Sequence, residues 1–523
     1  MMAHTQDTPQ LKQRRASSKK SRSGCRTCRV RHVKCDETPG SCRNCTNTGR
    51  TCDYDLQRLP RLGRATPLQR NEGTQLVLPM KIADGVRWAI TSDERRCYSY
   101  FQYHTVPTLL EIFDSALWQE LILRASISEP AVYHAVVSLS AVHQDSEKYG
   151  MPLPGQDVQN DWHRFALEQC GRSFSLLSQR HSSQDPRFRE IMLLCCLLFV
   201  ITQLLRGRYD EAFQHLLSGL KVLNEARAAG RFEGPLAQCI IAAFRSLETQ
   251  SWEYGFRRDS SMSEPDHQAY PLGDFRDFSN LSEARQVLDS LAHTAFRFST
   301  ECKDLSERDI LSNYGSLHQR QLQLLSQLSG FADRFELFCS RNKVNQKGRR
   351  AADIVRLVCC SLNIPVKTAL IRDEPTLERY VPEYEKQLTM VEEILDKYPE
   401  RPSVTLDTTI LPPLYYAAMW CRDYGVRCRA IAALQSWPHR EGAFDSNWIA
   451  FLALQRIKAD LKARPDPDVI AYVSSKLPKP NKSRQQSLDY DEFPIDDALG
   501  SMKIMENWPC IQITKQAMAS KDS

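Results

Sequence analysis

Between about residue 92 and residue 475, apolar positions recur at intervals of three and four, the spacing of one helix face. Glu129 and Pro130 open one such run, with Ser128 as the expected cap and Val132, Ala135, Val136, Leu139 and Val142 as its stripe. The strongest pair runs from Phe188 to Leu205 and then from Tyr209 to Ala226. In the second member Phe213, Leu216, Leu217, Leu220 and Leu223 share a face. Arg206-Gly207-Arg208 leaves room only for a tight connection, so the two helices are expected to pack antiparallel. Similar patches cover Leu281–Phe298, Leu317–Phe338, Ala351–Leu370 and Tyr384–Leu395. Period-two alternation is nearly absent, and no strict repeat length stands out. The predicted fold is mostly α, with a large all-α domain of helix pairs over 92–475.

The flanks read differently. Residues 1–24 are polar and basic (Lys12, Arg14, Arg15, Lys19, Lys20, Arg22) and predict a disordered tail that can serve as a nuclear address or add phosphate contacts. Residues 55–91 form a linker broken by Pro60, Pro67 and Pro79. Leu56, Leu59 and Leu62 do not sustain the heptads of a coiled coil. Residues 476–523 are a flexible tail in which acids alternate with Leu488, Tyr490, Phe493 and Ile495, a composition suited to binding a coactivator. The apolar run Ile191 to Leu205 is interrupted by Thr202 and Gln203 and reads as a buried helix rather than a membrane span.

Charge is divided unevenly. Residues 1–70 hold 16 Lys and Arg against 5 Asp and Glu, a net +11, and the remaining 53 and 58 give −5. A basic head on a slightly acidic body points to a polyanion as the partner of the head.

Within that head lie Cys25, Cys28, Cys35, Cys42, Cys45 and Cys52, spaced C-x2-C-x6-C-x6-C-x2-C-x6-C. The first three recur 17 positions later as the second three. Six thiolates can hold two zinc ions if two sulfurs are shared, four ligands to each tetrahedral metal. A disulfide framework would need an oxidising compartment, to which nothing in the chain points. The other cysteines, among them Cys195, Cys196, Cys359 and Cys360, sit in apolar runs as small hydrophobes. Each half of the cluster is expected to place a short helix after its first cysteine pair, with Pro39 and Gly40 turning the chain between halves.

The run Cys25-Arg26-Thr27-Cys28-Arg29-Val30-Arg31-His32-Val33-Lys34-Cys35-Asp36, with Pro39 between the halves and Tyr54 after the last cysteine, resembles the fungal binuclear zinc-cluster transcription factors. Four further stretches resemble the fungal-specific transcription factor domain that follows such clusters: 95–113, 128–143, 193–223 and 413–440, the last followed by Glu441-Gly442. The resemblance implies a binuclear zinc-cluster DNA-binding domain over 25–54, with Cys25 and Cys42 bridging two structural zinc ions. It also implies a nuclear regulator of RNA polymerase II genes that binds double-stranded DNA and often governs metabolic or secondary-metabolite pathways. With sulfur filling every coordination position, no site remains to activate water.

The half after Cys28 carries Arg29, Arg31, His32 and Lys34, whereas the half after Cys45 carries Thr46, Asn47, Thr48 and Arg50. By resemblance the first, basic half enters the major groove at a CGG-like triplet. Arg31 can fork onto a guanine edge. His32 stands where the family often has a base-reading lysine, and a neutral imidazole has a single donor. Lys34, Arg26, Arg29 and Arg43 are expected at phosphates. Without a coiled coil, homodimerisation falls to the helical domain.

Two other readings compete with this one. An enzyme with a DNA-binding head finds no phosphate loop, H-E-x-x-H, G-x-S-x-G or G-x-G-x-x-G in the chain, and His143, His215 and His439 stand isolated on helical patterns. A metabolite-binding scaffold could use Tyr415, Tyr416, Trp420 and Trp437, which at helical spacing read better as core.

Overall fold

The computed structural model describes residues 25–36, 42–50, 88, 90–154, 156, 158–180, 183, 185–228, 234–252 and 277–476. The basic tail, Pro39, Gly40, Cys52, Tyr54, the linker leucines and the acidic stretch at 488–499 lie outside these residues. The chain divides into two compact units, 1–64 and 65–523.

The first unit contains α1 (Arg26–Val30) and α2 (Arg43–Thr46). Each helix starts inside its C-x2-C pair, not after it as expected, with Cys42 as the N-cap of α2. Three residues make nearly one helical turn, so this start puts both sulfurs of a pair on one face. Among the described residues, the buried core of this unit is the cysteines alone: Cys25, Cys28, Cys35, Cys42 and Cys45.

The second unit is helical. Its first half runs α3 (Ser92–Tyr100), a π-helical turn (Phe101–Thr105), α4 (Val106–Leu109), a second π-helical turn (Leu117–Leu121), α5 (Ile122–Ser128) and α6 (Pro130–Tyr149). Then come α7 (Asp161–Ser178), α8 (Pro186–Leu205), α9 (Tyr209–Ala228) and α10 (Pro235–Trp252). The second half holds α11 (Leu281–Asp304), α12 (Glu307–Ser312), α13 (Tyr314–Arg341), α14 (Gln346–Thr368), α15 (Glu374–Glu378) and α16 (Val381–Lys397). It closes with β1 (Val404–Thr405), α17 (Leu411–Trp420), α18 (Tyr424–Ser436), β2 (Arg440–Glu441), β3 (Phe444–Asp445), α19 (Ser446–Ala463) and α20 (Pro467–Lys476).

At the centre of the first half, α6 is buried on nearly every side, because α3, α5, α7 and α8 all pack against it. Its serines are satisfied there: Ser140 Oγ donates to Cys97 O at 2.6 Å and Ser138 Oγ to Ala166 O at 2.8 Å. Ser128 does not cap α6. It ends α5, its hydroxyl turned back to Arg124 O and Ala125 O, while Glu129 precedes Pro130 at the first helical position. Proline has no N–H to leave unpaired there, so the missing side-chain cap costs little.

The pair α8 and α9 forms as the pattern requires. Gly207 turns the connection at φ 70°, and a Cβ there would stand 2.9 Å from Leu153 O. Beginning at Pro186, α8 is long and apolar enough to cross a membrane by length and composition, and most of that window is buried inside the unit. In the second half, α13 buries Leu317, Gln321, Leu324, Leu328, Phe331, Phe335 and Phe338, alternating four and three apart, against α11 and α14. Cys195 and Cys359 are buried free thiols, and burial pushes both up, Cys359 to about 12, so they stay protonated.

The sequence pattern gives no sign of the small sheet. β1 lies parallel to β2, with Val404 opposite Arg440, and β2 runs antiparallel to β3, with Arg440 opposite Asp445. Gly442 turns this two-residue hairpin at φ 55°. His439, Arg440, Glu441, Phe444 and Asp445 are all buried. Arg440 donates to Tyr209 Oη at 2.8 Å and to Asp445 Oδ2 at 2.5 Å, and Gln250 Oε1 accepts from the Ala443 amide at 2.8 Å. The hairpin thus ties α9 and α10 to the C-terminal half.

Glu248 on α10 is a buried carboxylic acid whose Oε2 has no hydrogen-bond partner among the described residues, and burial pushes it up to about 7. A raised acid makes the folded state hold its proton while the unfolded chain releases it. Stability therefore falls as pH rises from the unfolded value to about 7 and levels off above it. Glu248→Gln is expected to stabilise the chain by up to ~3 kcal/mol at pH 8 and to change little near pH 4.5. Denaturant melts of both proteins across this range check the sign.

Candidate metal centre and nucleic-acid interface

The sulfurs of Cys25, Cys28, Cys35 and Cys42 all lie within 4.8 Å of one another, and all four side chains are buried. Cys25 Sγ is 3.7 Å from Cys42 Sγ and 3.6 Å from Cys45 Sγ. Cys28 Sγ is 3.5 Å from Cys42 Sγ and 3.9 Å from Cys45 Sγ. A zinc–sulfur bond of about 2.3 Å sets the edge of a sulfur tetrahedron near ~3.8 Å, so these residues fit zinc. Backbone amides support the sulfurs: Cys28 N donates to Cys25 Sγ and Cys25 N to Cys35 Sγ, each at 3.3 Å.

Burial pushes the Cys25 and Cys42 thiols up. Hydrogen bonds from the Cys28 and Cys45 amides respectively, and from neighbouring thiols, outweigh it, and both end below the ordinary thiol value. Burial and the same neighbours push Cys28 up. Cys25 and Cys42 occupy equivalent positions in the two halves, and the thiolate is the form of a cysteine that binds a metal.

The 17-residue repeat is visible in three dimensions. Val33 N donates to Cys28 O at 3.1 Å, and Arg50 N, 17 residues on, donates to Cys45 O at 3.0 Å. His32 takes φ 55° where the second half has Gly49 at φ 58°. The Cys25–Cys45 and Cys28–Cys42 separations are likewise images of one another. The halves are therefore related by a local two-fold axis, with the sulfurs around it.

Of the candidate DNA contacts, His32 and Lys34 are exposed on the turn after α1, as are Val30 and Val33 in the same stretch, at 71% and 41%. Arg43 is exposed at the start of α2, where its amide donates to Asp36 Oδ2 at 3.1 Å. Arg26 and Arg29 lie on α1, and their side chains fall outside the described residues. Arg31 is half-buried: its Nη1 donates to Asn44 O at 3.3 Å and to Thr48 Oγ1 at 3.2 Å. Asn44 Nδ2 in turn donates to Lys34 O at 2.6 Å. Sequence reasoning missed Asn44 and Thr48, which carry no charge and look like ordinary turn residues.

Residues 23–61 match the family model described as the fungal Zn(2)-Cys(6) binuclear cluster domain, and residues 96–251 match the fungal specific transcription factor domain. The chain is a fungal Zn(2)-Cys(6) transcription regulator. As such it binds zinc through its cysteine cluster and binds DNA. Over 88% of this regulator and 90% of the relative's length, it is 23% identical to the aspercryptin biosynthesis cluster-specific transcription regulator of Emericella nidulans. It is 26% identical to the transcription regulator lscL of Purpureocillium lilacinum over 38% of this chain and 48% of that one. A Zn(2)-C6 fungal-type transcription factor of Aspergillus fumigatus is 31% identical over 31% of this chain and 41% of its own. No solved structure matches the regulator. The matched helical segment takes in three of the four stretches that resemble the family, and the fourth, 413–440, lies beyond it.

Of the histidines and aromatics of the helical unit, His143, His439, Tyr415, Tyr416 and Trp437 are buried, while His215 and Trp420 are half-buried. His143 bonds Thr105 Oγ1 at 2.9 Å and Ser403 Oγ at 3.3 Å. His215 stacks on Phe174. His439 is not helical as expected: it leads into β2, with Glu441 Oε1 at 3.1 Å and the Trp437 ring stacked on it. Tyr415 and Tyr416 are buried, and Trp437 lines a void of about 10 Å³, room for about one water and not for a metabolite.

Proposed function

We propose that this chain is a nuclear, sequence-specific regulator of RNA polymerase II genes whose cluster holds two zinc ions and reads a CGG-like triplet in the major groove. The observation that carries the reading is the knot of cysteine sulfurs at tetrahedral spacing, with an exposed basic turn leaving it. Cys25, Cys28, Cys35 and Cys42 hold one ion; Cys42, Cys45, Cys52 and Cys25 hold the other. The cluster domain takes 25–54 and the regulatory helical domain 92–475. Base edges are met by the turn that carries His32, and phosphates by Arg26, Arg29, Lys34 and Arg43. The name of the Emericella nidulans relative supports control of a biosynthetic gene cluster. The acidic tail recruits a coactivator, and homodimers form through the helical domain.

Two measurements test this reading. Metal analysis of the purified chain is expected to give two zincs per chain; one would contradict the shared-sulfur arrangement. Titration of a CGG-bearing duplex and its scrambled counterpart is expected to favour the first. Lys34→Ala should weaken both duplexes alike and lower the slope of log affinity against log salt by about 0.9, the contribution of one phosphate. An unchanged slope would remove Lys34 from the phosphate set.

A further inference from the structure

The two-fold relation between the halves gives one residue a role that its charge does not disclose. A contact between equivalent positions lies on the local symmetry axis, as in a self-complementary interface. Arg31 and Thr48 are such a pair, 17 residues apart, and they are in contact at 3.2 Å. The same nitrogen, Nη1, also reaches Asn44 O. The Thr48 hydroxyl sends its own proton to Asn44 O at 2.8 Å or to Cys45 O at 3.2 Å, which leaves its lone pairs to Arg31. Beside this contact, Asn44 Nδ2 holds the Lys34 carbonyl. The unit has no apolar core besides its cysteines among the described residues, so outside the sulfur knot it is polar contacts such as these that hold one half against the other.

We propose that Arg31 is a positioning residue, a strut across the two-fold seam that holds the reading turn at His32 and Lys34 in register with the second half at Arg43. The proposal rests on the reading of the cluster as a sequence-specific DNA-binding module. Both Nη1 protons of Arg31 are taken by Asn44 O and Thr48 Oγ1, so the guanidinium is held against the seam and only Nη2 and Nε remain to face DNA. His32 and Lys34 follow it in sequence and are exposed. Arg31 thus acts on DNA through the geometry of its neighbours, and the turn that carries His32 makes the choice of base.

The test uses the full zinc-loaded chain with a fluorescent duplex selected by the wild type, and with variants of that duplex changed at each triplet position. Arg31→Ala and Thr48→Val are each expected to weaken binding about tenfold, the scale of one hydrogen bond to a charged group. Every duplex should lose equally, and the double variant should lose no more than either single one. Both variants should also release zinc faster to a chromogenic chelator. Arg31→Lys should restore most of the affinity, because one nitrogen makes both bonds. The proposal is overturned if Thr48→Val binds as wild type while Arg31→Ala loses discrimination at one base pair. Should the wild type prefer no sequence, the underlying reading falls. The coupling between Arg31 and Thr48 in zinc retention then upholds or overturns the strut by itself.

Discussion

Cys42→Ala is expected to strip zinc from the cluster and to cut affinity for the DNA site by at least ~10³-fold, down to non-specific binding. Cys42 Sγ lies within 3.7 Å of Cys25 Sγ and within 3.5 Å of Cys28 Sγ, and it belongs to the four-sulfur group that spans both halves. The buried core of this unit is sulfur, while Val30 and Val33 face solvent. Without metal, the described residues of this unit offer no apolar core to offset chain entropy. Structural zinc contributes on the order of 10–16 kcal/mol in small domains of this kind, so losing it is losing the fold. The helical unit has its own core and should keep its helical circular dichroism. Zinc content, a DNA titration and a far-ultraviolet spectrum of the same preparation check the three parts. Retention of specific DNA binding by a zinc-free variant would contradict the account.

The second large effect lies far along the sequence. Glu441→Ala is expected to destabilise the helical unit by about 3–5 kcal/mol, the cost of stranding a buried polar network. The Glu441 carboxylate is fully buried and accepts from Thr409 N at 2.6 Å, Ile410 N at 2.9 Å and Leu411 N at 3.2 Å, with the Thr409 hydroxyl and His439 completing the set. These amides belong to the head of α17, whose next two residues are Pro412 and Pro413 and have no N–H. One carboxylate therefore satisfies the donors at the start of this helix, and alanine would leave them buried and unpaired. A fall in melting temperature of ~5–10 °C should follow, with zinc content unchanged. Glu441→Gln keeps one acceptor oxygen and should lose less. An Ala variant as stable as wild type would mean that water reaches these amides.

How far the sequence disclosed these features depends on how local they are. The cluster is written in spacing: C-x2-C fits one helical turn, and the 17-residue repeat reappears as paired distances and as the left-handed His32 and Gly49. The helices α8, α9, α11, α13, α14 and α16 were legible because apolar residues recur at their period. The start of α6 was misjudged because Ser128 has the chemistry of a cap, whereas its hydroxyl turns back into α5. The hairpin at 440–445 was not legible, since its strands are two residues long and carry Arg440, Glu441 and Asp445. Their burial is made possible by Tyr209 and Gln250, about two hundred residues earlier in the chain. The Arg31 contact escaped notice for a different reason. A long cationic side chain reads as a DNA contact wherever a motif is basic, and only coordinates show that it reaches Thr48 first.

The measurement that tests the central claim most directly is selection of binding sites from random duplex DNA by the full zinc-loaded chain. Enrichment of a CGG-like triplet is the expected result. One triplet would mean reading by a monomer, and two at fixed spacing would mean dimerisation through the helical unit. No enrichment, from protein shown to carry its zinc, would contradict sequence-specific reading by the cluster.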